Sequence, residues 1–137
     1  MMDHLTNKQI IRDYLEAFAT LPITAEKFER FISRDNMELR RHVEVFQAGS
    51  PGYVLEPHEI IAEGNKVVVR FTFHGRHTGE LMGMPPTGNL LKASGIIIYE
   101  MEEGKIANQW MEFDAPTLFK QLEQPRRVAE EEVRSAN

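Results

Sequence analysis

The chain has 137 residues, 42% hydrophobic and 27% charged, which is the composition of one globular domain and excludes a fibrous or disordered chain. A formal net charge of −5 with no basic stripe argues against a surface that neutralises phosphates, so nucleic acid is not an expected partner. The lack of cysteine excludes a disulfide framework, a thiolate metal site and a cysteine nucleophile.

No basic-plus-apolar leader and no apolar run near the ~20 residues of a bilayer span is visible, so the expectation is a cytoplasmic protein without membrane contact. Ile10, Ile11, Tyr14, Leu15 and Phe18 form an amphipathic stripe, predicting a helix over 3–20 that Pro22 closes. A second helix opens at Thr24, whose hydroxyl suits an N-cap, and buries Phe28, Phe31 and Ile32 before Ser33. A third runs from Met37 to Phe46, capped by Asp35 or Asn36, with Leu39, Val43 and Phe46 on one face. It stops at the breaker cluster Gly49-Ser50-Pro51-Gly52.

There the period changes from 3.6 to 2. Strands are predicted over 53–62, 66–77, 90–101 and 105–114, with Glu63-Gly64-Asn65 and Glu102-Glu103-Gly104 as tight hairpin joins, so pairing is antiparallel. Ala115-Pro116 opens a closing helix around Leu118, Phe119 and Leu122. Helices followed by a strand meander make an α+β domain over 1–124, with a charged tail over 125–137.

Strand alternation assigns the faces. Val67, Val69, Phe71 and Phe73 share the covered side, and the same parity aims His77 there. Ile106, Asn108, Trp110, Glu112 and Asp114 share one face of the last strand. Their mixture of apolar and polar groups suits a ligand cavity, while Ala107, Met111 and Phe113 on the other face suit a subunit interface. Two covered faces on a long sheet point to a homodimer. His58 shares a parity with Ile60 that brings it to the cavity. Tyr14 stands at the pocket mouth, and Met82 and Met84, in an apolar Gly- and Pro-kinked loop, form its rim. His74 and His77 are not a metal pair, because a spacing of three on a strand points them to opposite faces, and no metal site is expected.

The run His77-Thr78-Gly79-Glu80-Leu81-Met82-Gly83-Met84-Pro85-Pro86-Thr87-Gly88 is followed by Tyr99, by Glu103-Gly104-Lys105-Ile106, by Trp110 and Asp114, and by Gln121-Leu122. In that order these residues resemble the SnoaL-like polyketide cyclase family. The resemblance implies a cone-shaped α+β barrel of the nuclear transport factor 2-like type, often dimeric, with helices against a curved four-stranded sheet. It also implies ring closure of a polyketide ester by intramolecular aldol condensation without metal or cofactor, with Asp114 at the position of the acid and base. Where many relatives carry His before the tryptophan, this chain has Gln109, which cannot exchange a proton in the useful range.

Such chemistry needs a base for a carbon-bound proton and a donor to the developing alkoxide. Asp114 in an apolar cavity beside Trp110 would have its pKa raised by desolvation and serve both ends, with His77 orienting the substrate. The competing reading makes Asp114 the N-cap of the closing helix. The sequence therefore points to a small hydrophobic, enolisable ligand. It leaves a non-catalytic binding domain and an isomerase or dehydratase of the same fold as alternatives.

Overall fold

The computed structural model describes residues 4–125, and the tail expected from residue 125 lies, from 126 on, outside the described residues. Helix α1 (His4–Phe18) buries Ile11, Tyr14, Leu15 and Phe18, four positions of the predicted stripe. Helix α2 (Ala25–Phe31) starts where the Thr24 hydroxyl accepts the Lys27 N–H at 3.3 Å, and it buries Phe28 and Phe31. Helix α3 (Met37–Gly49) starts where the Asn36 side chain accepts the Leu39 N–H at 3.2 Å. Its buried edge is Leu39, Val43 and Phe46.

Strands β1 (Val54–Glu63), β2 (Lys66–Arg76), β3 (Leu90–Glu102) and β4 (Lys105–Phe113) pair antiparallel in chain order, and α4 (Ala115–Glu123) follows. The sheet is not closed: β1 and β4 are its edges. Just after α2, Ile32 bridges to Ile106 in parallel, and the Ser33 N–H donates to the Ile106 carbonyl at 3.0 Å. The covered face carries Val67, Val69, Phe71 and Phe73 from β2 and Leu91, Ala93, Ile97, Tyr99 and Met101 from β3, all buried. Each large side chain buried there stabilises the fold by roughly 1.5–3 kcal/mol relative to exposure.

Two bulges correct the faces expected for the edge strands. In β1 the register steps from Pro57↔Phe71 to Glu59↔Arg70, leaving His58 as the extra residue. Ile60 consequently faces the core while His58 is exposed on the outer face, its Nε2 2.6 Å from the Thr72 hydroxyl. In β4 the partners step from Met101↔Ile106 to Glu100↔Asn108, so Ala107 is extra and parity reverses beyond it. Ile106 stays buried, but Gln109, Met111 and Phe113 now turn inward, and Asn108, Trp110 and Glu112 turn out. Trp110, expected as cavity wall, is 49% exposed on the outside of the sheet.

The β2–β3 connection is seated on the end of α3. The N–H groups of Thr78 and Gly79 both donate to the Gly49 carbonyl, at 3.1 and 3.0 Å. These bonds satisfy an acceptor that a helix end leaves open. A Cβ on Gly79 would overlap the Ala48 carbonyl oxygen, which is backbone and has nowhere to move. Leu81 is buried against Gly49, and Met82-Gly83 form a tight turn with φ of 53° and 80°, closed by reciprocal Leu81–Met84 backbone bonds. We expect Gly79→Ala to lower stability by about 2 kcal/mol through forced overpacking, read as a lower urea midpoint at unchanged slope. An unchanged midpoint would show that the loop and α3 are not rigidly joined.

Candidate functional site

Between α1, α3 and the covered face of the sheet lies a narrow apolar slot, a cavity of about 30 Å³ that opens to solvent at one mouth. Helix α1 contributes Tyr14, and α3 contributes His42, Val43 and Phe46. Tyr53, just ahead of β1, closes one end; Phe71, Phe73, Ile97 and Tyr99 make the floor, with Met111 and Phe113 from the far edge strand. The rings stand close together. Tyr14 and Tyr99 meet edge to face at 5.8 Å between centroids, Phe46 and Phe73 at 5.7 Å, and Tyr53 and Phe73 at 5.1 Å. The free space is therefore narrow and lined by ring faces and edges.

Three phenols and one imidazole supply the polarity. Burial raises the pKa of Tyr14, and the neighbouring Tyr99 and Tyr53 raise it further. Burial likewise pushes Tyr53 and Tyr99 up, so all three hydroxyls stay protonated and remain donors. His42 is pulled the other way: burial lowers its pKa, and the carboxylate of Glu38 one turn earlier offsets only part of that. At neutral pH its imidazole is uncharged.

Of the residues singled out from the sequence, Tyr14, Phe71 and Phe73 stand in the slot wall. The others stand elsewhere. Trp110 and Asn108 are on the outer face beyond the Ala107 bulge. His58 and Asp114 do meet, yet around a shallow depression on the outer side of the sheet beside Arg70 and Glu112. His77 is on the covered side, fully buried, but it belongs to the loop: its Nδ1 lies 3.0 Å from the Thr87 hydroxyl, and its backbone pairs with Asn89 and Gly88. Its Nε2 has no hydrogen-bond partner. Met82 is exposed, and Met84 packs half-buried on the core without reaching the slot.

Asp114 is the clearest correction. Its carboxylate accepts from the Thr117 N–H at 3.3 Å and from the Thr117 hydroxyl at 2.6 Å, as the N-cap of α4. Those bonds hold its pKa below the usual carboxylate range, opposite to the upward shift expected for a desolvated acid. Sequence reasoning passed over His42, Tyr53 and Tyr99 as site residues. His42 has a signal in retrospect: it lies three residues after Leu39 and four before Phe46, on the rim of the buried stripe of α3.

Among the described residues, no three His, Asp or Glu side chains stand together as a metal-binding group, and no helix is long and apolar enough to cross a membrane.

The sequence model of the SnoaL-like polyketide cyclases matches residues 1–122. No curated protein matches the chain in sequence. Solved structures of similar fold include AclR of Streptomyces galilaeus, described as a candidate hydroxylase, with 21% identity, TM-score 0.75 and coverage of 97% of this chain and 93% of that one. A candidate SnoaL-like polyketide cyclase from Jannaschia sp. CCS1 shares 14% identity at TM-score 0.77, covering 91% and 96% of the two chains. IdmH of Streptomyces antibioticus, a candidate polyketide cyclase, shares 23% identity at TM-score 0.69, with 85% and 97% covered.

The Asp114 cap generates a pH signature. Because the folded pKa is depressed, the charge-dependent part of the cap is fully present above the unfolded value of about 3.8 and is lost as pH falls through the folded value. Thermal melts of Asp114→Asn and wild type should differ at pH 7, and the gap should narrow progressively as pH falls below about 3.8. A gap that widens on acidification would contradict the cap.

Proposed function

The chain belongs to the SnoaL-like polyketide cyclase family, and from that premise we propose that it binds a small, flat, largely apolar molecule with an enolisable carbonyl and acts on it by cofactor-independent acid–base chemistry of the cyclase type. The observation that supports this most is the composition of the slot: aromatic and aliphatic walls, three protonated phenols and one neutral imidazole, with no carboxylate among its lining residues. Phenol donors in an apolar site stabilise the oxygen of an enolate or alkoxide far better than they do in water.

A second reading, binding without turnover, is favoured by one specific observation. Asp114, the acid that the family resemblance implies, spends its oxygens on the α4 cap outside the slot.

We also propose that the ligand-bearing unit is a homodimer joined through the outer face of the sheet. Ile61, Val68, Ile98 and Trp110 lie opposite one another in a single apolar row across all four strands. Ile61 is 58% exposed, and Ile96 next to the row is half open as well. Charged rows flank it, with Glu59 paired to Arg70 at 2.8 Å on one side and Lys66 to Glu100 at 3.3 Å on the other. A second copy related by a two-fold axis fits an apolar centre with mixed-charge flanks.

Two measurements test these readings. In a titration with 2-tetralone, a small planar enolisable ketone, methyl NMR shifts should fall on Val43 and Ile97 and leave Val68 and Ile98 unmoved. Leu55→Trp, which fills the slot, should weaken binding at least tenfold. Shifts confined to the outer face would sink the slot reading. Sedimentation equilibrium should give twice the chain mass for wild type and a monomer for Trp110→Arg, since a charge at the centre of an apolar interface is costly; a wild-type monomer would remove the dimer.

A further inference from the structure

We infer that His42 is the catalytic base of the slot, taking the proton from the carbon beside a substrate carbonyl and returning it to the oxygen formed when the ring closes. The inference rests on the slot reading above and adds to it the residue that moves the proton.

The first argument is elimination among the lining residues. Apart from His42, the slot is walled by aliphatic side chains, by phenylalanines and by three phenols held in their protonated form. None of those accepts a proton near neutral pH, whereas a neutral imidazole does. Asp114 and His77, the acid and histidine expected from the sequence, are absent from the wall.

The second argument is position. His42 borders the slot on one side and, on the other, an open groove on α3 formed with Met37, Glu38 and Arg41. His42 thus stands between the slot and a groove open to water. The ring leans on Phe46 with centroids 4.7 Å apart and planes 35° apart, which restricts its rotation. Among the described residues nothing hydrogen-bonds its nitrogens, so its lone pair is free for substrate.

The step balances without a co-reactant. The imidazole takes the α-proton, and the C–H electron pair becomes an enolate whose oxygen accepts a hydrogen bond from a slot phenol. The enolate carbon attacks a second carbonyl of the same molecule and forms the new C–C bond. That carbonyl's oxygen, now an alkoxide, takes the proton back from the imidazolium, and nothing is oxidised or reduced. The titratable groups that share a wall with His42 are Glu38 and Arg41 on its own helix, Tyr14 of α1, Tyr53 ahead of β1 and Tyr99 of β3. Burial outweighs Glu38, so the active free base is lost only below the ordinary histidine range.

The test is deuterium uptake at the α-carbons of 2-tetralone in D₂O, followed by proton NMR, with binding read separately from the Ile97 methyl shift. Wild type should accelerate exchange over buffer, with a rate that rises with pH to a plateau reached by about pH 7. His42→Gln should bind within about threefold of wild type and lose about 100-fold of the exchange rate. Asp114→Asn should leave both unchanged. Exchange that survives His42→Gln with binding intact overturns the inference, as does wild-type binding without exchange, which leaves the binding reading in place. Absence of wild-type binding overturns the slot reading and this inference together.

Discussion

The covered face of β2 and β3 is the constraint on which the rest depends. Its side chains at alternate positions, Val67 to Phe73 and Leu91 to Met101, are apolar almost without interruption, so this side must be sealed against helices. Gly95 is the exception, and it has a steric reason. A Cβ there would come within 2.6 Å of the Phe71 ring and 2.9 Å of the Glu112 carbonyl. The absent side chain lets the rings of Phe71 and Phe113 lie nearly parallel over β3, 6.3 Å apart, where they form the floor of the slot.

The position of α3 over that floor is set from both ends. At its start, the Asn36 amide donates to the Gln109 side chain at 2.7 Å and to the Ile106 carbonyl at 3.3 Å, and Gln109 reaches on to Glu38 at 3.4 Å. At its end, Gly49 accepts from the β2–β3 loop. Gln109, which marks a departure from the family pattern, is thus a brace between β4 and α3 rather than an exposed polar residue. The neutral amide does this work by donating and accepting at once, which a carboxylate cannot. His42 lies between the two anchors, and its place in the slot wall follows from them.

Most of the fold was legible in the residues because its signals are local. The change of period near Tyr53, the Thr24 and Asn36 caps, and the Gly-containing hairpin joins each depend on neighbours in the chain. The family motif was legible too, and several of its residues brace the fold. Gly79 admits the Ala48 carbonyl, His77 and Thr87 hold the loop together, and Gln121 closes α4 onto β3 by bonding both Lys92 backbone groups at 2.8 and 2.9 Å. The candidate site was not legible to the same degree, because one bulge at Ala107 exchanged the two faces of β4. A bulge leaves little trace in a strand that has apolar residues on both sides, and β4 has Trp110 on one and Met111 with Phe113 on the other. His42 was hidden for a different reason: a histidine at the rim of a helical stripe gains meaning only from what covers the helix.

The misplaced acid has a physical logic. A carboxylate that caps α4 needs its charge, since the charge is what strengthens the two bonds to Thr117. A general acid needs the opposite environment, one that disfavours the charge. A single Asp cannot satisfy both in one geometry, and here the cap has won. An imidazole meets no such conflict in the slot. Burial disfavours its charged form, which leaves a competent base at neutral pH, and the phenols around it, made harder to ionise by the same burial, remain donors. In the proposed chemistry, desolvation separates the two roles between residue types, base on the helix and donors around the floor. This division uses the low polarity of the slot instead of working against it.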